Sequence, residues 1–385
     1  MKIVTVIGAR PQIIKAAALS RAIKNNFSNT IHEIIIHTGQ HYDANMSQVF
    51  FDELGIPQPN YNLKIGSAAH GVQTARMIEG IEEILLDEKP DYLVLYGDTN
   101  STLAGAIAAS KIHIPIVHIE AGLRSFNKKM PEEINRIMCD HSSSLLFSPT
   151  VTGYNNLIKE GFSESNRKPF TADKPGIFHC GDVMYDNSLH FKEVALEKSE
   201  VLSENNLESG KFILGTIHRN NNTDEPERLT AIFKSILRIS ADFDIDVVLP
   251  LHPRTSNLLE KNLDGEVFNS LKQSTRIKMI APVSFLDMIA LESNCKLVMT
   301  DSGGVQKEAY FFEKPCIILR SETEWKEIVE EGAAIVVDAD ENKIFAAFDY
   351  FFEYDNMSFP SIFGDGKAAE FICETMLENG RNGVL

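Results

Sequence analysis

The chain has 385 residues, 43% of them hydrophobic and 24% charged, which is the profile of a folded globular protein of two or three domains. Its formal net charge of −17 argues against a general nucleic-acid or membrane-surface binder, while leaving room for a local basic pocket that takes a small anion. The five cysteines form no CxxC pair and no zinc spacing, so free thiols in a reducing compartment are expected, with no metal site. The start "MKIVTVIGARPQ" reads as a strand and a turn, not as a signal peptide. No apolar run reaches membrane-spanning length, and a cytoplasmic location is expected.

Strand-like and helix-like runs then alternate. "KIVTVIG" (2–8) predicts a strand, and "PQIIKAAALSRAIKNN" (11–26) a helix with Pro at its start. A strand at 32–39, a helix at 70–89, a strand at 91–98 and a helix at 101–112 follow. Residues 116–120 predict a strand after Pro115, 131–143 a helix and 144–150 a strand. The strands are near-continuous apolar runs, as in parallel sheets covered on both faces. The pattern weakens between about 165 and 210, where the chain turns polar and charged, and restarts with a strand at 211–218. A helix at 226–240 and strands at 244–252, 277–282, 295–301 and 316–320 come next, and 364–380 reads as a last amphipathic helix. The expected fold is therefore α/β, with two doubly wound units. The first unit is expected over 1–170, joined by the C-terminal helix 366–385, and the second over 171–365. A cleft between them is expected to take the ligand, beyond the carboxyl ends of the strands.

Reactive side chains collect at those strand ends. The first strand leads into Gly8, which permits a tight turn, and then Arg10 and Lys15, near a helix start able to hold a phosphate or carboxylate. The turn lacks G-x-G-x-x-G, so no dinucleotide fingerprint is present. The strand at 91–98 ends on Asp98, a residue type that also serves as a helix cap. The strand "IVHIE" ends on Glu120, which is harder to read as a cap because a Gly-containing loop follows. A buried carboxylate without a partner is costly, so Glu120 calls for a partner or a substrate. Glu132 and Glu133 lie in a first helical turn, where acids also suit the helix dipole. In the second unit, His218 and Arg219 close one strand, and His252 with Arg254 another. Ser302-Gly303-Gly304 opens a helix in the manner of a phosphate cradle, with Glu308 six residues past Ser302, able to accept from a sugar's hydroxyl pair. The set suggests a nucleotide-sugar enzyme, with the nucleotide on the C-terminal unit.

Taken together, "GARPQIIK", "TGQHYD", "YGDTNST", "HIEAGLRS", "MPEEINR", "TIHRNNN", "TDSGGVQKEA", "LRSETEW" and "GDGKAAE" occur in one order. The chain thereby resembles the bacterial non-hydrolysing UDP-N-acetylglucosamine 2-epimerase family over nearly its whole length. The resemblance implies a GT-B-like fold of two Rossmann-like domains, a homodimer, and interconversion of UDP-GlcNAc and UDP-ManNAc without NAD or another cofactor. It implies anti elimination of UDP to 2-acetamidoglucal, followed by re-addition. By matching motif, it assigns Asp98, Glu120 and Glu132 as catalytic acids and His218 as the catalytic histidine. It places Arg10, Lys15, His41, Arg136, Arg219 and His252 among the substrate-binding residues. Ser302, Gly303 and Gly304 match the diphosphate turn, Glu308 the ribose contact and Phe285 the region at the uracil.

The chain also departs from members acting on UDP-GlcNAc. It has "TEWKE" (323–327) where they often read "TERPE", and Asn220 where they often have Arg. Segment 65–77 differs too, and in many members neighbouring positions bind a second, activating UDP-GlcNAc. "GARPQ" and "LRSETEW" are closer to relatives that epimerise UDP-2,3-diacetamido-2,3-dideoxyglucuronate, which stands as the alternative substrate. A GT-B glycosyltransferase is the alternative from another reaction class, and it would need no acid–base set at C2.

Overall fold

The computed structural model describes residues 1–40, 55–251, 253–353 and 357–381. Two of the residues singled out above, His41 and His252, lie outside the described residues. The chain divides into two compact units, Met1–Asn187 with Ser361–Leu385, and Ser188–Pro360.

The first unit is built on a seven-stranded parallel sheet. Its strands are β1 (Lys2–Ile7), β2 (His32–His37), β3 (Tyr61–Asn62), β4 (Tyr92–Tyr96), β5 (Ile116–Ile119), β6 (Leu145–Ser148) and β7 (Gly176–His179), in the order β3-β2-β1-β4-β5-β6-β7. The central strands are apolar throughout because helices cover both faces: Val4, Val6, Leu93, Leu95 and Ile116 are all buried in one cluster with Met77, Ile81 and Leu85 of the helix His70–Glu88. Those three helical residues recur every four positions, the spacing that keeps one face against the sheet. The helix predicted at 11–26 runs from Arg10 to Ala22 and then loosens into a π-turn at Ile23–Phe27. The weakly patterned stretch after 165 holds β7 and the whole of the helix Val183–Lys198.

The second unit carries a six-stranded parallel sheet with strands β8 (Phe212–Thr216), β9 (Asp246–Pro250), β10 (Ile277–Ile280), β11 (Leu297–Thr300), β12 (Cys316–Ile318) and β13 (Ala334–Val336). Their order is β10-β9-β8-β11-β12-β13. Ile232, Phe233 and Ile236 of the helix Pro226–Asp242 pack with Val247, Leu249 and Phe348 to fill its core. In each sheet the strand order reverses beside the unit's first strand, between β1 and β4 and between β8 and β11. That is where doubly wound sheets take ligands at their carboxyl ends. Among the described residues, no helix is long and apolar enough to cross a membrane.

Candidate active site

In the first unit the reversal point is fastened by Gln12. Its side-chain oxygen accepts from the N–H groups of Gly8 (3.0 Å) and Ala9 (3.1 Å), and its amide nitrogen donates to the Tyr96 carbonyl (3.0 Å) and the Thr102 hydroxyl (3.0 Å). Gln12 thus ties the end of β1 to the end of β4, and it takes up two backbone donors that the sequence reading left for an anion. Gly8 has an ordinary negative φ; a Cβ there would collide with the hydroxyls of Ser101 and Thr38. The glycine is required by close packing against the end of β2 and the start of the helix Asn100–Lys111, not by the turn itself. Arg10 lies exposed at the start of the helix.

Asp98 is not the helix cap. Thr99 fills that role, its hydroxyl accepting from the Thr102 N–H at 3.3 Å. Asp98 instead pairs with Arg136 at 2.5 Å, and the Asn135 amide holds the Asp98 carbonyl at 2.8 Å. Glu120 sits at the end of β5, nearly buried, with its backbone in the left-handed region at φ +69°. Outside glycine that conformation is uncommon, and its persistence marks a position fixed by its surroundings. The partner that Glu120 requires is Lys15, whose ammonium donates to its carboxylate. Gly97, also in the left-handed region (φ +60°), makes room for this pair: a Cβ there would lie 3.1 Å from Glu120 Oε2 and 3.3 Å from Lys15 Nζ.

The two adjacent acids of the helix Pro131–Asp140 separate in role. Glu132 is exposed. Glu133 is buried, accepting from the N–H groups of Ser125 and Phe126, both at 2.9 Å, and from Arg136 at 3.0 Å. Burial opposes its ionisation, but the Ser125 and Phe126 donors and Arg136 outweigh it and hold the carboxyl below its ordinary value. Glu133 therefore anchors the loop that follows Glu120.

In the second unit, His218 and Arg219 leave the end of β8 with their backbone N–H groups donating to Asp301 at 3.1 Å each. The His218 ring is about half exposed, with Nδ1 3.1 Å from Asp301 Oδ1. Asn222 donates to the same carboxylate at 3.0 Å. Asp301 is fully buried, which opposes its charge, yet His218, Asn222 and the Arg219 N–H keep it ionised to below the usual carboxylate range. Ser302 caps the helix Gly303–Phe311 by accepting from Val305 N at 3.5 Å. Gly304 is exposed, and a Cβ there would sit 3.9 Å from Ser302 Oγ and 4.0 Å from Glu308 Oε2, so the Glu308 carboxylate lies back over the turn. The Trp325 indole donates to the Gly303 carbonyl at 2.9 Å, and Lys307 Nζ lies 4.5 Å from the centre of that ring. Arg320 grips Glu324 with both nitrogens (2.7 and 2.8 Å), and Arg219 comes within 4.0 Å of the same carboxylate. Phe285 is buried edge-on against Phe191, so its ring belongs to the packing of this unit.

The profile of the UDP-N-acetylglucosamine 2-epimerase family matches residues 23–377. The chain belongs to this family. A UDP-2,3-diacetamido-2,3-dideoxy-D-glucuronate 2-epimerase of Pseudomonas aeruginosa is 50% identical over 88% of this chain and 89% of its own. A UDP-N-acetylglucosamine 2-epimerase homolog of Methanococcus maripaludis is 48% identical over 98% of this chain and 99% of its own. Among solved structures, the Methanocaldococcus jannaschii UDP-GlcNAc 2-epimerase in complex with UDP-GlcNAc and UDP has a TM-score of 0.80 and 42% identity, covering 98% of this chain and 100% of that one. The two Rossmann-like units are those of the family's GT-B-like fold. Within this epimerase-family chain, Gln12 and Asp301 are site-building residues that sequence reasoning did not single out. The signals for both lay inside the quoted "GARPQ" and "TDSGG" motifs.

Proposed function

We propose that the chain inverts C2 of a UDP-2-acetamido sugar, with UDP-GlcNAc and UDP-ManNAc as the interconverted pair. The observation that carries this is the paired carboxylates Asp98 and Glu120 at adjacent strand ends, each held by a cation, Arg136 and Lys15, in a chain whose relatives include C2 epimerases of such sugars. A proton at C2 beside an acetamido group is weakly acidic, so its removal has to be coupled to departure of the leaving group. Carboxylates on the two faces of the sugar supply the base and the acid. Glu132, exposed on its helix, is the third acid of this set. Loss of the C2 proton with anti elimination of UDP gives 2-acetamidoglucal. UDP then adds back, and C2 is reprotonated on the opposite face. The Ser302-Gly303-Gly304 turn binds the diphosphate, Arg10 and Arg219 add positive charge, and His218 acts at the leaving phosphate, where negative charge develops. Glu308 accepts from the ribose hydroxyls.

A second substrate reading is favoured by one observation, the 50% identity to the diacetamido-glucuronate enzyme, together with Trp325 and Lys326 in place of Arg-Pro. One experiment separates them. Proton NMR in D2O with UDP-GlcNAc is expected to show UDP-ManNAc and deuterium entering at C2. Exchange only with UDP-2,3-diacetamido-2,3-dideoxyglucuronate would replace the first substrate by the second. No exchange with either would overturn 2-epimerisation.

A further inference from the structure

The two catalytic strand ends share one buried ring. His118 precedes Glu120 by two residues on β5 and is fully buried. Its Nε2 lies 2.8 Å from the Gly97 carbonyl, one residue before Asp98, and its Nδ1 lies 2.6 Å from Asp140 Oδ1. A carbonyl oxygen can only accept, so Nε2 carries a proton. Asp140 Oδ2 receives the Gly122 N–H at 3.1 Å and the Arg124 guanidinium at 2.7 Å, so this group is a carboxylate, and Nδ1 facing it carries a proton as well. Both ring nitrogens therefore donate. Arg124 in turn is clasped by Glu160 at 2.7 Å through two nitrogens, which closes a chain of alternating charges.

We infer that His118 is a positioning residue, a permanent imidazolium that fixes Asp98 through the Gly97 carbonyl and Glu120 through its own strand, and that carries no proton in the reaction. Sheet register supports this: Tyr96 pairs with Ile119, and the Gly97 N–H donates to the Ile119 carbonyl at 3.0 Å, so Gly97 and Glu120 leave the sheet level with each other. Both then turn through left-handed conformations, at +60° and +69°. Glycine adopts this conformation freely, but at Glu120 it is strained and persists only where neighbours over-determine it, and the ring bridges the two turns. Asp140 and the adjacent Cys139 thiol are the titratable groups that face the ring, with Arg124 beyond Asp140. Burial works against charge on the ring, but Cys139 and Asp140 outweigh it and hold the ring proton far above the usual histidine range.

The inference rests on Asp98 and Glu120 being the acid–base pair, and its first test does not. Long-range proton–nitrogen NMR on 15N-histidine protein, with His118 assigned from H118Q, is expected to show both ring nitrogens protonated from about pH 6 to about pH 9. A ring that loses a proton in that range overturns the imidazolium. The second test is turnover. In His118→Phe, kcat is expected to fall about a hundredfold while KM moves little, with more of the elimination intermediate lost to solvent per turnover. Wild-type kcat, or a loss confined to KM, would overturn the positioning role. Asp140→Asn leaves the ring free to deprotonate, so its kcat is expected to gain an alkaline limb that the wild type lacks; a flat profile would count against the idea. Were His118→Phe or Asp140→Asn not to fold, the NMR result on the unaltered chain, assigned with H118Q, still decides the charge state. Were no substrate turned over, the functional reading would fail while the ring assignment stood.

Discussion

The Asp301 carboxylate receives the His218 backbone N–H on both of its oxygens, at 3.1 Å each. It also receives the Arg219 N–H and the Asn222 amide, so the residue that follows β11 sets the direction in which β8 releases its histidine. Asp301→Asn keeps the shape but turns one acceptor into a donor facing backbone donors. Hydrogen bonds to a charged group are worth about 1.5–3 kcal/mol, so a stability loss of that order is expected in urea unfolding. The kcat is expected to fall with it, because His218 is mis-aimed. A variant as active and as stable as the wild type would show that the His218 turn is held by other contacts.

The same logic gives an acid limb to stability. Asp140 is fully buried, which by itself would raise its pKa; His118 and Arg124 overcome this and lower it. A carboxyl whose folded pKa lies below its unfolded one stabilises the fold above the unfolded value, about 3.9 for Asp. That contribution is lost as pH falls through the lower, folded pKa. Wild-type stability is therefore expected to drop steeply below about pH 4, while Asp140→Asn, weaker at neutral pH, loses less over the same range. Parallel losses in the two proteins would assign the acid limb to other groups.

Gly97 offers a probe of Glu120 that leaves the carboxylate intact. A Cβ at this position would press on Glu120 Oε2 and Lys15 Nζ and would sit at φ +60°. Gly97→Ala is expected to cost about 1–2 kcal/mol of stability and to lower kcat. Glu120→Gln leaves the Lys15 ammonium without its counter-charge, so it is expected to lower the melting temperature by a few degrees while remaining folded, and to abolish C2 exchange measured by NMR. Full turnover by Glu120→Gln would remove Glu120 from the chemistry.

Much of this architecture is legible in the residues because parallel strands buried on both faces announce themselves as apolar runs, and the reactive residues follow them directly. Asp98, Glu120, His218 and Ser302 were visible for that reason. Gln12 and Asp301 were not, since the contacts that give them their roles, to Tyr96 and to His218, lie 84 and 83 residues away and nothing local distinguishes them from a helical Gln or a capping Asp. β3, β7 and β13 were missed, β3 because two residues are too few to carry a period. The purpose of Gly8 was misjudged for a related reason: a tight turn and a close approach look alike in sequence.

Glu132 and Glu133 illustrate the remaining ambiguity. Neighbours on a helix point about 100° apart, so one faces solvent and one faces the loop, and only the structure says which. Glu133→Gln would place an amide against the Ser125 and Phe126 N–H groups, and its melting temperature is expected to fall by several degrees, about 1–3 kcal/mol. Glu132→Gln is expected to melt like the wild type and to lose turnover. The reverse pattern would exchange the two assignments.

The Trp325 indole bears on the diphosphate turn through the Gly303 carbonyl, 2.9 Å away, and Lys307 rests over its ring. Trp325→Phe keeps an aromatic face for Lys307 and deletes only the N–H. Loss of one such hydrogen bond costs about 1 kcal/mol, which corresponds to roughly a fivefold change in affinity if it is felt wholly in binding. The expected result is a KM for the UDP-sugar raised by about that factor with kcat unchanged, the signature of lost uniform binding. A fall in kcat at constant KM would mean instead that the indole acts on the turn only as UDP departs, and would move Trp325 from substrate binding into transition-state stabilisation.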